Sequence, residues 1–234
     1  NTGTVMMGSE PSREQRYNWL KKFGMGEYTG VELTGESQGL VADWREWDIR
    51  QQYTVLFGQG LAQSALQTSL ILQTVANKGI KLKPRIIDAI IDTDGTEEVL
   101  PVAEGQRVIS EETARKTLQV MEAVVYQGGA EAAQVDGYRV AGKTGTAENV
   151  GEGSAVYDGW TTSFVGVAPT ENPRFLVSVT IHRPKTTASA VGLAGTTAQF
   201  SQIMEKVLHT YKVPRSTSEP TETPKFAEGH DETD

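Results

Sequence analysis

Residues 140–147, Val-Ala-Gly-Lys-Thr-Gly-Thr-Ala, constrain this chain more than any other stretch. The sequence reads as a short strand over 139–147, reached from a Gly-rich loop and left through Glu148-Asn149. Successive strand side chains alternate faces, so Thr144 and Thr146 present two hydroxyls side by side. Lys143 projects the other way, on a stem long enough to bring its ammonium back to the strand's edge. Gly145 has no Cβ, so another backbone can lie flat against the strand. These features suit an extended peptide ending in a carboxylate: the ammonium supplies charge, the hydroxyls donate hydrogen bonds, and the strand edge pairs with peptide backbone. Lys-Thr-Gly alone also marks ordinary turns, so its surroundings decide the reading.

Upstream, Ser9 or Ser12 caps a helix running to about Phe23 and stopped by Gly24 and Gly26. Residues 28–47 read as a loop-rich excursion pinned by two tryptophans. A helix follows over 64–77, apolar nearly all round and therefore expected to be buried. Gln59 and Gln63 before it are read as structural hydrogen-bonding residues, with ligand contact the alternative. Residues 85–91 and 97–101, split by Asp94-Gly95, form a small hairpin. Ser110 caps a second long helix whose inner face is Ala114, Leu118, Met121 and Val125, ended by Gly128-Gly129. Beyond the key strand, 151–159 reads as a mobile loop, and 162–168 and 174–182 as an antiparallel pair. The last helix carries an apolar stripe of Phe200, Ile203, Met204, Val207, Leu208 and Tyr211, made to cover a sheet. The expected domain is 1–212; residues 213–234, rich in Pro, Ser, Thr and Glu, are read as a disordered tail.

Charge and elimination narrow the chemistry. The formal net charge is −8, and the 213–234 tail, with two basic and six acidic residues, supplies half of it. No basic stripe marks a nucleic-acid partner. The chain has no cysteine, which excludes disulfides, thiol catalysis and zinc–thiolate sites. His182, His209 and His230 are scattered, without metal-ligand spacing, and no phosphate loop or dinucleotide fingerprint occurs, so no metal or cofactor is expected. No run of about 18 apolar residues exists, so a soluble chain is expected, any membrane anchor lying outside it.

Five stretches in order resemble one family. They are residues 28–40 (Tyr-Thr-Gly-Val-Glu-Leu-Thr-Gly-Glu-Ser-Gln-Gly-Leu); Phe57-Gly58-Gln59-Gly60 leading to Leu66-Gln67; Ala76-Asn77-Lys78-Gly79; residues 140–147; and Ser163-Phe164-Val165-Gly166-Val167-Ala168-Pro169. From Asn1 to about Tyr211 the chain is similar to the carboxyl-terminal part of the transpeptidase domain of class B penicillin-binding proteins, which cross-link the bacterial cell wall. The resemblance implies an α+β fold, an antiparallel sheet flanked by helices. It also implies a site built from Ser-x-x-Lys, Ser-x-Asn and Lys-Thr-Gly. Only the third motif is whole. Asn1 would be the asparagine of the second, and no Ser-x-x-Lys occurs in the 234 residues.

By this resemblance Thr144 and Thr146 would bind the terminal carboxylate of a D-Ala-D-Ala stem peptide or of a β-lactam, with Gly145 between them. Lys143 would supply positive potential, the Thr146 N–H would donate to an oxyanion, and Asn1 would orient the acyl side-chain amide. Gly128-Gly129-Ala130 stands where the family more often has Gly-Thr-Ala, and Gln199 where it commonly has Pro. The implied parent is a serine transpeptidase of peptidoglycan biosynthesis in cell division or elongation. It would act on the extracytoplasmic face of the bacterial membrane, held only by an N-terminal anchor outside this chain. The expectation is that the chain alone is inactive, and that Phe175, Val177, Val179 and Ile181 lie along an open sheet edge. That edge would pair with a missing N-terminal half of the domain or drive self-association. The competing readings are a non-catalytic module binding wall peptides or division partners and, less well supported, a serine β-lactamase.

Overall fold

Ser12 and Ser64 start the two main helices of the N-terminal unit by the same device. In each, the serine hydroxyl accepts from the backbone N–H three residues on, and the glutamine there reaches back to the serine N–H. The computed structural model describes residues 2–150, 157–185 and 194–223 and divides the chain into two units, 1–110 and 111–234.

The first unit comprises α1 (Thr2–Gly8), α2 (Arg13–Lys22), α3 (Gln51–Thr54) and α4 (Ala65–Ala76), with four short strands. These are β1 (Ile80–Lys81) against β4 (Gln106–Arg107) and β2 (Ala89–Ile91) against β3 (Glu97–Val99), both antiparallel. The expected hairpin is present as β2–β3, whereas the β1–β4 pair has no counterpart in the sequence reading. Contrary to expectation α4 is not buried all round: Gln67, Leu72, Thr74 and Val75 are buried, Ala65 is exposed and the remaining side chains are partly covered.

Gln63 takes the structural role expected of it, its Nε2 donating to Thr68 Oγ1 at 2.9 Å, but Gln67, not singled out for that role in the sequence, makes more such bonds. Its Nε2 donates to the carbonyls of Glu27 and Gln38, both at 2.9 Å, while its Oε1 accepts from Ser64 N–H, so one buried amide ties the 24–39 loop to the helix start. Trp47 is buried, its indole donating to Ala42 O at 3.0 Å and its ring meeting Tyr17 edge-on.

The second unit contains α5 (Glu111–Gln127), β5 (Ala141–Val150), β6 (Tyr157–Ala168), β7 (Phe175–His182) and α6 (Ala194–Thr210). The strands form one antiparallel sheet in the order β5-β6-β7. The β6–β7 register runs from Thr161↔His182 to Ala168↔Phe175, the pairing expected from the sequence. β5 starts two residues later than read and extends through the polar run Glu148-Asn149, because Glu148 still pairs with Trp160 and Val150 with Tyr157 of β6, the register shifting between them at Asn149. Of the expected 151–159 loop, 157–159 belong to β6, and 151–156 lie outside the described residues.

Phe200, Met204 and Leu208 of α6 are fully buried against Val140, Phe164 and Val179. Ile203, expected in that stripe, is 45% exposed; the buried line advances strictly by four, and i+3 falls at its rim. Among the described residues β7 is the edge strand expected, but the side chains of Phe175, Val177 and Val179 pack into the same core. What β7 leaves open is backbone: among the described residues it pairs with β6 alone.

The start of the tail also departs from the reading. Val213 is buried, Tyr138 Oη donates to its carbonyl at 2.8 Å, and Ser216, Ser218 and Thr221 are hydrogen-bonded to the body. Composition missed this because the segment is held by hydroxyls and backbone groups rather than by buried apolar area. Residues 224–234 of the tail lie outside the described residues.

Candidate functional site

Gly142 and Gly166 face each other across β5 and β6, and both are glycine for one reason. A Cβ on Gly142 would lie 2.3 Å from Phe164 Cζ, and one on Gly166 would lie 2.8 Å from Phe200 Cζ. The two rings meet edge-on with centroids 4.7 Å apart and are fully buried, so the sheet dips over an aromatic pair just before Lys143. Val140 and Ala141 are also fully buried. The strand is therefore anchored at its root and emerges into solvent at the residues that carry its chemistry.

Lys143 is exposed, and its ammonium turns back along the strand, donating to the Thr144 carbonyl at 2.8 Å and to Thr144 Oγ1 at 3.3 Å. Thr144 is half-buried and pairs with Phe164; Thr146 is exposed and pairs with Thr162. The two hydroxyls thus share a face but differ in solvation. A Cβ on Gly145 would lie 2.5 Å from Ser163 Oγ, so this glycine makes room for a side chain of the neighbouring strand. Among the described residues β5 pairs with β6 only, leaving its other edge free for an added strand. Asn1, the fifth candidate, lies outside the described residues. Lys143, Thr144, Gly145 and Thr146 therefore form one contiguous cluster, a cation and two hydroxyls beside an unpaired strand edge.

Sequence reasoning missed the charged pair behind that strand. Arg139 grips Glu122 with Nε to Oε1 at 2.8 Å and Nη2 to Oε2 at 2.7 Å. The Glu122 side chain is completely buried and that of Arg139 is 13% exposed. Burial pushes the Glu122 carboxyl up, but the Arg139 and Thr221 hydrogen bonds and the guanidinium charge outweigh it and hold the group below the usual carboxylate range. The signal was in the sequence: Ala114, Leu118, Glu122 and Val125 put a carboxylate in the middle of the apolar face of α5. At the far end of the sheet His182 Nδ1 lies 2.8 Å from Thr161 Oγ1, which also meets Asn149 Oδ1 at 2.9 Å. That cluster caps the strand ends.

A mixed fold with an antiparallel sheet, carrying Lys-Thr-Gly-Thr on an edge strand, assigns the chain to the α+β class. Comparison with known proteins makes the assignment specific: residues 1–205 match the penicillin binding protein transpeptidase domain, and the chain belongs to that family. Penicillin-binding protein PbpB of Mycolicibacterium smegmatis is 37% identical over 227 residues, covering 92% of this chain and 35% of the relative. Among solved structures, a peptidoglycan synthetase from Bifidobacterium adolescentis aligns with a TM-score of 0.84 at 36% identity, covering 93% of this chain and 39% of that one. Penicillin-binding protein 3 of Mycobacterium tuberculosis, solved in complex with ampicillin, aligns with a TM-score of 0.85 at 34% identity, covering 93% and 51% respectively. The chain spans about a third of the length of the curated relatives it matches.

Proposed function

We propose that this chain forms the carboxylate-binding part of a peptidoglycan transpeptidase site. The observation that carries the reading is the Lys143-Thr144-Gly145-Thr146 cluster on a strand with a free edge, within a chain of the penicillin-binding transpeptidase family. A stem peptide ending in D-Ala-D-Ala, or a β-lactam resembling it, would lie along that edge. The Thr144 and Thr146 hydroxyls would donate to its carboxylate, and Lys143 would swing from its own strand to supply positive potential. The Thr146 N–H would donate to the oxyanion of a tetrahedral intermediate. Asn1 would orient the acyl side-chain amide.

Acyl transfer through a serine needs a nucleophile and its activating lysine. The 234 residues hold no Ser-x-x-Lys, so these groups must come from outside the sequence in hand, and the chain alone binds without turning over. The same absence favours a second reading, a non-catalytic module that recognises wall peptides. With cell-wall peptide as ligand, the site faces the extracytoplasmic side of the bacterial membrane. Among the described residues no helix is long and apolar enough to cross a membrane.

The test is a two-dimensional NMR titration of this chain with an N-acylated Lys-D-Ala-D-Ala peptide and with its C-terminal amide. Shifts centred on residues 143–146 that need the free carboxylate support the reading. Equal binding of the amide, or shifts elsewhere, overturns it. Intact mass after incubation with excess benzylpenicillin should remain unchanged; a stoichiometric adduct would overturn the claim that no nucleophile is present.

A further inference from the structure

Arg139 stands two residues before β5, and the described structure gives a partner to its backbone N–H and carbonyl and to each of its three guanidinium nitrogens. Besides the fork onto Glu122, Nη1 donates to Ser218 Oγ and Nη2 to Thr221 Oγ1, both at 2.9 Å. Its backbone N–H donates to Ser216 Oγ at 2.9 Å, and its carbonyl accepts from Thr170 N–H at 2.9 Å. The segment that provides these hydroxyls is fixed at both ends. Val213 is buried, with its N–H on Leu208 O and its carbonyl on Tyr138 Oη, and Thr221 N–H donates to Glu122 Oε2 at 2.9 Å. Between these points Ser216 N–H donates to Gly137 O at 2.9 Å, so the segment runs beside 137–139 like a short added strand. The family match ends at residue 205, so residues 213–221 lie beyond it while Arg139 and Glu122 lie within it.

We propose that residues 213–221 are a strap that fixes the root of the Lys-Thr-Gly strand, with Arg139 as the positioning residue through which it acts. From Arg139 to Lys143 is four strand residues, about 13 Å. Because β5 is paired along one edge only among the described residues, its lateral hold there comes from β6 and, at its root, from this strap. The buried carboxylate supplies the strength of the joint: Glu122 accepts three hydrogen bonds, one of them from the strap itself. Removing the strap leaves the charge pair standing but strips Arg139 of three hydroxyl contacts and Glu122 of one donor. The consequence for binding rests on reading the strand as the carboxylate site; the mechanical claim does not.

The experiment is amide hydrogen exchange on the 234-residue chain, on a truncation after Lys212, on the full-length triple variant S216A/S218A/T221A, and on Arg139→Lys. The expected result is protection falling by about tenfold at residues 141–146 in the truncation and the triple variant, while the centres of β7 and α6 change by less than about twofold. Arg139→Lys keeps the charge opposite Glu122 but lacks the planar fork that reaches both Glu122 and the strap, so its loss should match that of the triple variant. Full rescue by lysine would overturn the positioning role and leave a plain charge pair. A uniform rise in exchange across the second unit, or no change in β5, would overturn the strap. If exchange changes as expected but peptide affinity does not, the strap stands and the carboxylate reading falls.

Discussion

Gly142→Ala tests what holds the candidate strand in place. The new Cβ would sit 2.3 Å from Phe164 Cζ and 2.9 Å from both Phe164 Cε1 and the Val165 carbonyl. Ordinary carbon contacts are about 3.5–4.0 Å, so the ring must retreat by more than about 1 Å. It has little room to do so: Phe164 is fully buried against Phe200, whose own Cζ already crowds Gly166. Overpacking of this kind costs about 1–3 kcal/mol, and spoiling the edge-on ring pair adds about 0.5–1.5 kcal/mol, so a destabilisation of about 2–4 kcal/mol is expected. Urea unfolding followed by far-UV circular dichroism measures it as a drop in midpoint at constant slope. Phe164→Leu removes the two clashing ring atoms, at a cost of its own, but leaves the Val165 carbonyl. Gly142→Ala should therefore cost less in the Phe164→Leu background than in the parent, a coupling of more than about 1 kcal/mol. A Gly142→Ala variant within about 0.5 kcal/mol of the parent, or strict additivity in the double variant, would refute the aromatic explanation of this glycine.

Gln67→Leu should cost about 2–4 kcal/mol and raise exchange in the 24–39 loop, since it leaves the Glu27 and Gln38 carbonyls and the Ser64 N–H without their buried partner; urea unfolding of the first unit checks it. Because the Glu122 carboxyl is lowered in the folded chain, its stabilisation is present above the ordinary carboxylate pKa of about 4.3 and is lost as pH falls through the folded value. Glu122→Gln should therefore flatten the fall of stability with pH below about 4.3; some slope should remain from Glu36, Glu32 and Asp94, whose carboxyls are also lowered by hydrogen bonds from Thr29, Ile86 and Thr96. Lys143→Met should weaken binding of the carboxylate peptide and reduce its dependence on salt, leaving the unfolding free energy within about 0.5 kcal/mol of the parent's, because the ammonium is exposed and its partner among the described residues is its neighbour Thr144.

How much of this was legible in the sequence depends on whether the determinant is local. The two capping boxes, the β6–β7 pairing and the Phe200, Met204, Leu208 line follow from periodicity and from residues three or four apart, and the sequence reading found them or came close. The Lys-Thr-Gly-Thr cluster was equally legible because a strand's alternation fixes it. Gln67, Glu122 and residues 213–221 were not, because each is defined by partners distant in the chain. Glu122 meets Arg139 seventeen residues on and Thr221 ninety-nine residues on, and no period links them. A carboxylate inside an apolar helical stripe announces that a cation must come, but not which one.

The same contrast explains how the candidate site is built. Its chemical groups are exposed and cheaply ordered, so they cannot position themselves; an isolated lysine and two threonines on a free strand edge would sample many arrangements. Rigidity comes instead from residues with no chemical part to play. Phe164 and Phe200 hold the strand from beneath, Val140 and Ala141 bury its root, and the Arg139–Glu122 joint fixes the turn that leads into it. Binding a flexible peptide by strand addition gains most when the receiving edge is already ordered, because then only the peptide loses freedom. On the proposed reading, the edge of β5 left open among the described residues would serve a ligand because the strand is already held by β6 and by its buried root.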